Sequence, residues 1–184
     1  MTKVFISGSM KIKNLDPQVL YRLKHIIDSN YEVLVGDANG VDSSIQNFFI
    51  ENQYSNVTVY CTGEIPRNNL GRWKTCNITS NASPNSRAFY TAKDKAMAND
   101  CDFGLMVWDS KSTGTLSNAI ELLKQEKKSR VFVNKSKEFV RIVTVDDLES
   151  LTTVMSDFAF KKANEKLKVT DTIEKIKYSS IDMF

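Results

Sequence analysis

Phe103-Gly104-Leu105-Met106-Val107-Trp108 runs into Asp109-Ser110-Lys111-Ser112-Thr113-Gly114, and then into Thr115-Leu116-Ser117-Asn118-Ala119-Ile120-Glu121-Leu122-Leu123. The first six residues have the length and apolar character of a strand. The next six are turn formers, and from Thr115 to about Gln125 the apolar residues recur at helical spacing. Arg130–Asn134 is a further strand, so strand, helix and strand follow one another as in a βαβ unit. Upstream, the same alternation repeats. Lys3–Ser7 is a strand ending at Gly8, and Asp16-Pro17 opens a helix to about Ser29, with Pro at the first helical position. Tyr31–Val35 is a strand closed by Gly36, Asp42 caps a helix to about Asn52, and Val57–Cys61 is a third strand. Residues 62–87 form a long irregular stretch, and a helix from about Ala88 to Asp100 precedes the opening segment.

These elements predict a Rossmann-like, doubly wound α/β fold. It has a mainly parallel five-stranded sheet of order 3-2-1-4-5, with helices on both faces. Residues 1–134 make up this domain. Residues 135–184 form a C-terminal extension: Glu138–Thr144 alternates like an edge strand, Val145–Ser156 looks helical, and Asp157–Tyr178 is Lys-rich with Phe158, Phe160, Leu167, Ile173 and Ile176 as apolar anchors. The extension either packs on the domain or serves self-association.

Composition narrows the classes. The chain has 184 residues, enough for one α/β domain, and its 41% hydrophobic and 26% charged content fills a core while keeping the surface polar. No apolar run approaches the ~20 residues that span a bilayer, and the N-terminus lacks a secretory apolar run. A cytoplasmic location without membrane contact is expected. One histidine, His25, and three scattered cysteines, Cys61, Cys76 and Cys101, supply neither a metal site nor a Ser-His-Asp or Cys-His centre. No metal and no resident cofactor are expected. The net charge of +3 does not argue for nucleic acid by itself. Between Lys124 and Arg141, however, seven basic residues face two acids, either a solvated helix end or a surface that meets phosphate.

In parallel sheets ligands sit beyond the carboxyl ends of the strands. Gly8 and Ser9 follow the first strand. Gly36, Asp37 and Gly40 follow the second, where Asp37 or Asp42 can accept from a ribose hydroxyl, Asp42 reading first as the cap of its helix. Ser112-Thr113-Gly114-Thr115 offers three hydroxyls, a glycine and a helix N-terminus, either as a phosphate site or as a plain turn with Thr115 as cap. Arg67, Arg72, Lys74 and Arg87 in the long stretch oppose Glu64 alone, and Trp73 offers a stacking face. So long a loop is functional or without fixed conformation in part.

Phe5-Ile6-Ser7-Gly8-Ser9, Val35-Gly36-Asp37-Ala38-Asn39-Gly40-Val41-Asp42, Tyr90–Ala98 running on to Asp102–Asp109, and Ser112-Thr113-Gly114-Thr115 stand in an order that resembles the SLOG superfamily. This Rossmann-like group includes the DNA-processing protein DprA, the LOG phosphoribohydrolases and many small stand-alone proteins. The resemblance covers about residues 1–134 and implies a nucleotide-type ligand and a homo-oligomer. The LOG enzymes carry a glutamate three residues after the threonine of their glycine-threonine turn, and here that position is Asn118, which hydrogen-bonds but cannot act as a base. Asp94 and Asp109 remain as catalytic carboxylates. Asp94, between Lys93 and Lys95, also reads as a surface ion pair. Three functions follow: binding of a nucleotide or nucleotide-derived ligand, N-glycosidase action on a nucleoside monophosphate, and DprA-like binding of single-stranded DNA. The first is favoured by the resemblance and the phosphate-type loops, while Asn118 counts against the second and the basic residues, split between two segments, against the third.

Overall fold

The computed structural model describes residues 1–181. The strands are β1 (Lys3–Gly8), β2 (Glu32–Gly36), β3 (Val57–Thr62), β4 (Lys74–Ile78), β5 (Phe103–Trp108), β6 (Ser129–Val133) and β7 (Glu138–Ile142). The helices are α1 (Pro17–Asp28), α2 (Val41–Glu51), α3 (Arg87–Asp100), α4 (Thr113–Lys124), α5 (Val145–Thr152), α6 (Asp157–Leu167) and α7 (Val169–Ile181). One sheet of order β4-β3-β2-β1-β5-β6-β7 joins all the strands, parallel except for β7, which pairs antiparallel with β6.

The expected order 3-2-1-4-5 is the central β3-β2-β1-β5-β6, but the sheet has seven strands rather than five. β7 is the anticipated edge strand. β4 lies inside the stretch expected to be irregular and pairs in parallel with β3, from Thr58 opposite Lys74 to Thr62 opposite Ile78. Its sequence hides it: Lys74-Thr75-Cys76-Asn77-Ile78 has an exposed lysine and asparagine and no continuous apolar face, as an edge strand allows.

The strands of the sheet divide their side chains between two layers, as period-2 geometry requires. Val4 and Ile6 of β1, with Val33 and Val35 of β2, pack under Val19, Leu23 and Ile26 of α1 and Ile45 and Phe49 of α2. Phe5, Leu34, Met106 and Trp108 face the other way, under Met97 of α3 and Leu116, Ile120 and Leu122 of α4. α5, α6 and α7 extend that second layer, where Leu148, Leu151, Met155, Ala163, Val169 and Ile173 join the same core. Of the apolar anchors expected there, Ile173 is buried and Phe160, Leu167 and Ile176 are half-buried. Phe158 is instead exposed, because α6 turns it away from the core. Among the described residues no helix is long and apolar enough to cross a membrane.

Candidate functional site

β1 and β5 are neighbours on which the chain leaves in opposite directions, so the loops after them meet above the sheet. They are stitched together. Ser9 N–H donates to the Val107 carbonyl (2.9 Å), and the Asp109 N–H donates to Ser9 Oγ (3.0 Å). Asp109 Oδ1 accepts from the N–H groups of Lys111 (2.9 Å) and Ser112 (2.7 Å), which bends the chain back toward α4. The Trp108 indole N–H fixes the turn on the Ser112 carbonyl (2.9 Å). One helical turn on, Asn118 Nδ2 donates to the buried Ser7 Oγ (3.0 Å), which in turn faces Met106 Sδ (2.9 Å). Asn118 thereby ties α4 to the end of β1.

The N-cap of α4 is Ser112, not Thr115, and its side chain makes no capping bond to the first turn. The Ser112 hydroxyl instead accepts from Thr115 Oγ1 (3.3 Å). First-turn N–H groups have no partner within a helix, so those of Thr113, Gly114 and Thr115 depend on something outside it. Gly114 is exposed, and a Cβ added there would meet no atom within 4 Å. The other glycines differ. A Cβ at Gly8 would collide with the Val107 carbonyl and with Val41 Cγ2 at 2.7 Å, so this glycine admits the start of α2 against the sheet. Gly40 has φ +82° and lies against the Met10 backbone. At Gly36 the space is taken by the Asp42 carboxylate and the Lys93 ammonium.

That last contact belongs to a buried ionic network at the end of β2. Asp37, 3% exposed, receives a two-pronged contact from Arg67: Nη2 to Oδ1 at 2.7 Å and Nε to Oδ2 at 3.2 Å, with the Arg67 N–H adding a third bond at 2.9 Å. Lys93, 4% exposed, donates to Asp94 Oδ1 (2.8 Å) and lies 4.0 Å from Asp37 Oδ1. Asp42, buried in the first turn of α2, is not the cap of that helix; Gly40 is, and Asp42 Oδ2 accepts from the Ala38 N–H (3.1 Å). The Arg67 guanidinium lies over the Tyr90 ring, 4.2 Å from its centre.

Burial pushes the Asp42 carboxyl up to about 6; Asp94 and Asp37 push the same way, while Lys93 and the Ala38 N–H oppose them. Burial alone raises Asp37 too, but the Arg67 hydrogen bonds and the charges of Lys93 and Arg67 hold it below the ordinary value. For Lys93, burial disfavours the ammonium, and Asp94, Asp42 and Asp37 more than offset it, so it stays charged.

The long stretch between β3 and α3 has a fixed conformation over residues 67–73. Gln46 Nε2 donates to the Gly36 (3.0 Å) and Asn68 (3.2 Å) carbonyls, and its Oε1 accepts from the Leu70 N–H (2.9 Å). Asn68 Nδ2 donates to the Asp37 carbonyl (2.8 Å). Trp73 is not free to stack on a ligand: its ring packs over Gly71, and its indole N–H donates to the Tyr54 carbonyl (3.1 Å).

The structure thus brings Asp37, Arg67 and Asp94 into one cluster, and Ser9, Asp109 and residues 112–118 into another. Arg87 stands apart, exposed at the start of α3. Asp94 is no surface pair, since its lysine is buried. Sequence reasoning did not assign Lys93, Tyr90 or Gln46 to the candidate site and favoured a capping role for Asp42. One signal for Lys93 was present: Phe89, Lys93 and Met97 recur at i, i+4 and i+8, which puts a lysine in the apolar stripe of α3.

No protein-family model matches the chain, and no curated protein matches it. Among solved structures it is similar to DNA processing protein A from Helicobacter pylori, with a TM-score of 0.57 and 19% identity over 91% of this chain and 80% of that one. The fold is Rossmann-like. That neighbour is described by its single-stranded DNA binding mode. At such identity the likeness shows the fold alone, a mostly parallel sheet between helical layers.

Proposed function

We propose that the chain binds a nucleotide or nucleotide-derived ligand at the carboxyl ends of β1, β2 and β5. The uncapped, sterically open first turn of α4 carries this reading. A phosphate there accepts from the N–H groups of Thr113, Gly114 and Thr115 and meets the positive end of the helix. Ser112 and Thr113 border the phosphate, the fully buried Ser9 holds the Asp109 turn beneath it, and Arg67, whose side chain is 36% exposed, faces the ligand from the β2 side. Gly8, Gly36 and Gly40 contribute by letting the surrounding backbone and side chains pack closely.

Binding is favoured over hydrolysis because each candidate carboxylate already has a task. Asp94 holds Lys93, and one Asp109 oxygen holds two backbone N–H groups. Asn118, bonded to Ser7, brings no charge to the site. A second reading, binding of a single DNA strand, is supported by the similarity to DNA processing protein A. Self-association is supported by the exposed Phe158 and Tyr178 of the C-terminal helices, and sedimentation as a monomer at high micromolar concentration contradicts it.

The decisive experiment is thermal unfolding with a panel of nucleoside mono-, di- and triphosphates, beside anisotropy with a fluorescein-labelled oligonucleotide. A ligand at a hundredfold excess over its Kd adds about 2.7 kcal/mol, a shift of several degrees for a domain of this size. Gly114→Val is expected to reduce the shift while leaving the unliganded Tm near that of the wild type. A shift undiminished in Gly114→Val contradicts the phosphate assignment. Release of free base from any panel member, lost in Asp94→Asn or Asp109→Asn, favours the glycosidase instead.

A further inference from the structure

A groove of about 670 Å³ lies at the amino ends of β5 and β6, the opposite end of the sheet from the loops above. That volume is in the range of small-molecule sites. Arg22 of α1, Tyr31, Phe103 of β5, Lys128, Arg130 of β6 and Arg141 of β7 line it. These residues come from five segments that only the fold assembles.

Arg130 and Arg141 are direct cross-strand partners in the antiparallel β6–β7 ladder, and the next pair on the same face is Phe132 opposite Phe139. Side chains directly opposite one another lie about 5 Å apart at Cβ, where like charges destabilise a ladder. Both arginines are exposed, and among the described residues neither has a carboxylate within 4 Å. Asp147, which feels the Arg141 charge, is held by the N–H groups of Val143 and Thr144. A third guanidinium, Arg22, sits 5.7 Å above the Phe139 ring.

Two acids line the groove as well. Asp102 is engaged with the Lys3 N–H (2.7 Å), and Glu126 stands against Lys127 and Lys128 in sequence. Lys127 is spent on the Ala98 and Asn99 carbonyls (both 2.7 Å). Against these two acids the groove sets five basic side chains, Arg22, Lys127, Lys128, Arg130 and Arg141, so positive charge is in excess.

Planar guanidinium forks match the oxygens of a phosphate. The Tyr31 and Phe103 rings, edge to face at 5.7 Å, add aromatic surface beside them. A concave site of this size suits a phosphorylated small unit rather than the flat face of an acidic protein. We infer that this groove binds the phosphate of a nucleotide, free or within a single strand, through Arg130 and Arg141. No residue is shared with the strand-end site, so either assignment can fail without the other.

Anisotropy of fluorescein-labelled dT12, and calorimetry with AMP, test it in the wild type, in Gly114→Val, and in Gly114→Val combined with Arg130→Ala and Arg141→Ala. The Gly114→Val protein is expected to keep binding one or both probes at this groove. The added alanines should weaken that binding at least tenfold and lower the salt dependence of strand binding by about 1.4 in the log–log slope, two phosphate contacts' worth. Loss of both probes identifies the free nucleotide as sufficient, and loss of dT12 alone identifies the strand; either supports the inference. Unchanged binding and slope in the triple variant overturn it, as does wild-type protein that binds neither probe. As an independent readout, Arg141→Gln should raise the unliganded Tm at low salt and less so at 0.5 M salt, where the repulsion is screened. No change in Tm at low salt counts against the like-charge pair on which the inference stands.

Discussion

Asp42 shows how one buried group ties stability to pH. Its folded pKa of about 6 lies above the ordinary 3.8, so the folded chain holds this proton more tightly than the unfolded one. Stability from this group is full below pH 4 and is lost as pH rises to about 6. Above that, the ionised carboxylate costs about 3 kcal/mol, the shift converted at 1.36 kcal/mol per pKa unit. Asp42→Asn is expected to raise the free energy of unfolding by up to about 3 kcal/mol at pH 7.5 and to change it little at pH 4, as urea titrations at the two pH values can read. Equal effects at both contradict the assignment. Asp37 runs the other way: its depressed pKa contributes stability that is present at neutral pH and lost only as pH falls below 3.8. Lys93→Met leaves Asp37, Asp42 and Asp94 with Arg67 as the remaining cation. A loss of about 3–5 kcal/mol is expected at neutral pH, the scale for breaking a buried ion pair, and a loss under 1 kcal/mol would sink the view of Lys93 as the hub.

Two glycines separate packing from access at the scale of elements. Gly104 of β5 faces α4, and a Cβ there would collide with Leu122 and come within 2.9 Å of Met106 Cε. Gly104→Ala is therefore expected to destabilise by about 1–3 kcal/mol, the cost of overpacking where strand meets helix. Gly114, in the first turn of α4 with nothing near its missing Cβ, is expected to stabilise by about 0.5–1 kcal/mol when replaced by Ala, through helix propensity and reduced chain entropy. Chemical denaturation of both variants checks the pair, and a shared sign would mean that the β5–α4 packing is misassigned. α5 has a capping box, with Thr144 Oγ1 on the Asp147 N–H and the Asp147 carboxylate on the Thr144 N–H. It anchors the start of the added helical layer.

At the scale of the whole molecule, the C-terminal elements complete the core. β7 covers the edge of β6, and Leu148, Leu151, Ala163 and Val169 bury the α4 side of the sheet. A chain ending at Asn134 is expected to lose cooperative thermal unfolding and to aggregate, because it bares apolar residues of α4 together with an unpaired edge. A cooperative transition within a few degrees of that of the full chain would show instead that the first 134 residues are self-sufficient. The edges that remain carry charge, Lys74 on β4 and Glu138 and Arg141 on β7, which discourages sheet-to-sheet growth.

The sequence by itself determined the order of the central strands, the helices between them and the strand-end loops that hold the candidate site, since these rest on periodicity and turn residues within a dozen positions. Asp37, Arg67 and residues 112–115 stood out as candidates for the same reason: polar groups and glycine at strand ends have few local explanations. Tertiary structure alone decided what local pattern cannot carry. β4 is a strand because β3 offers it an edge, not because Lys74–Ile78 prefers to be extended. Lys93 stays charged in the core because Asp94, Asp42 and Asp37 surround it; the α3 stripe marks the position as inward, but of these partners only Asp94 is a neighbour in sequence. Gly8 and Gly36 are filled by protein because α2 and α3 pack over them. Arg130 and Arg141 stand side by side because a turn reverses the chain between β6 and β7. Each of these depends on contacts between distant segments, whose energies come from burial and charge in the assembled fold rather than from any residue's own preference.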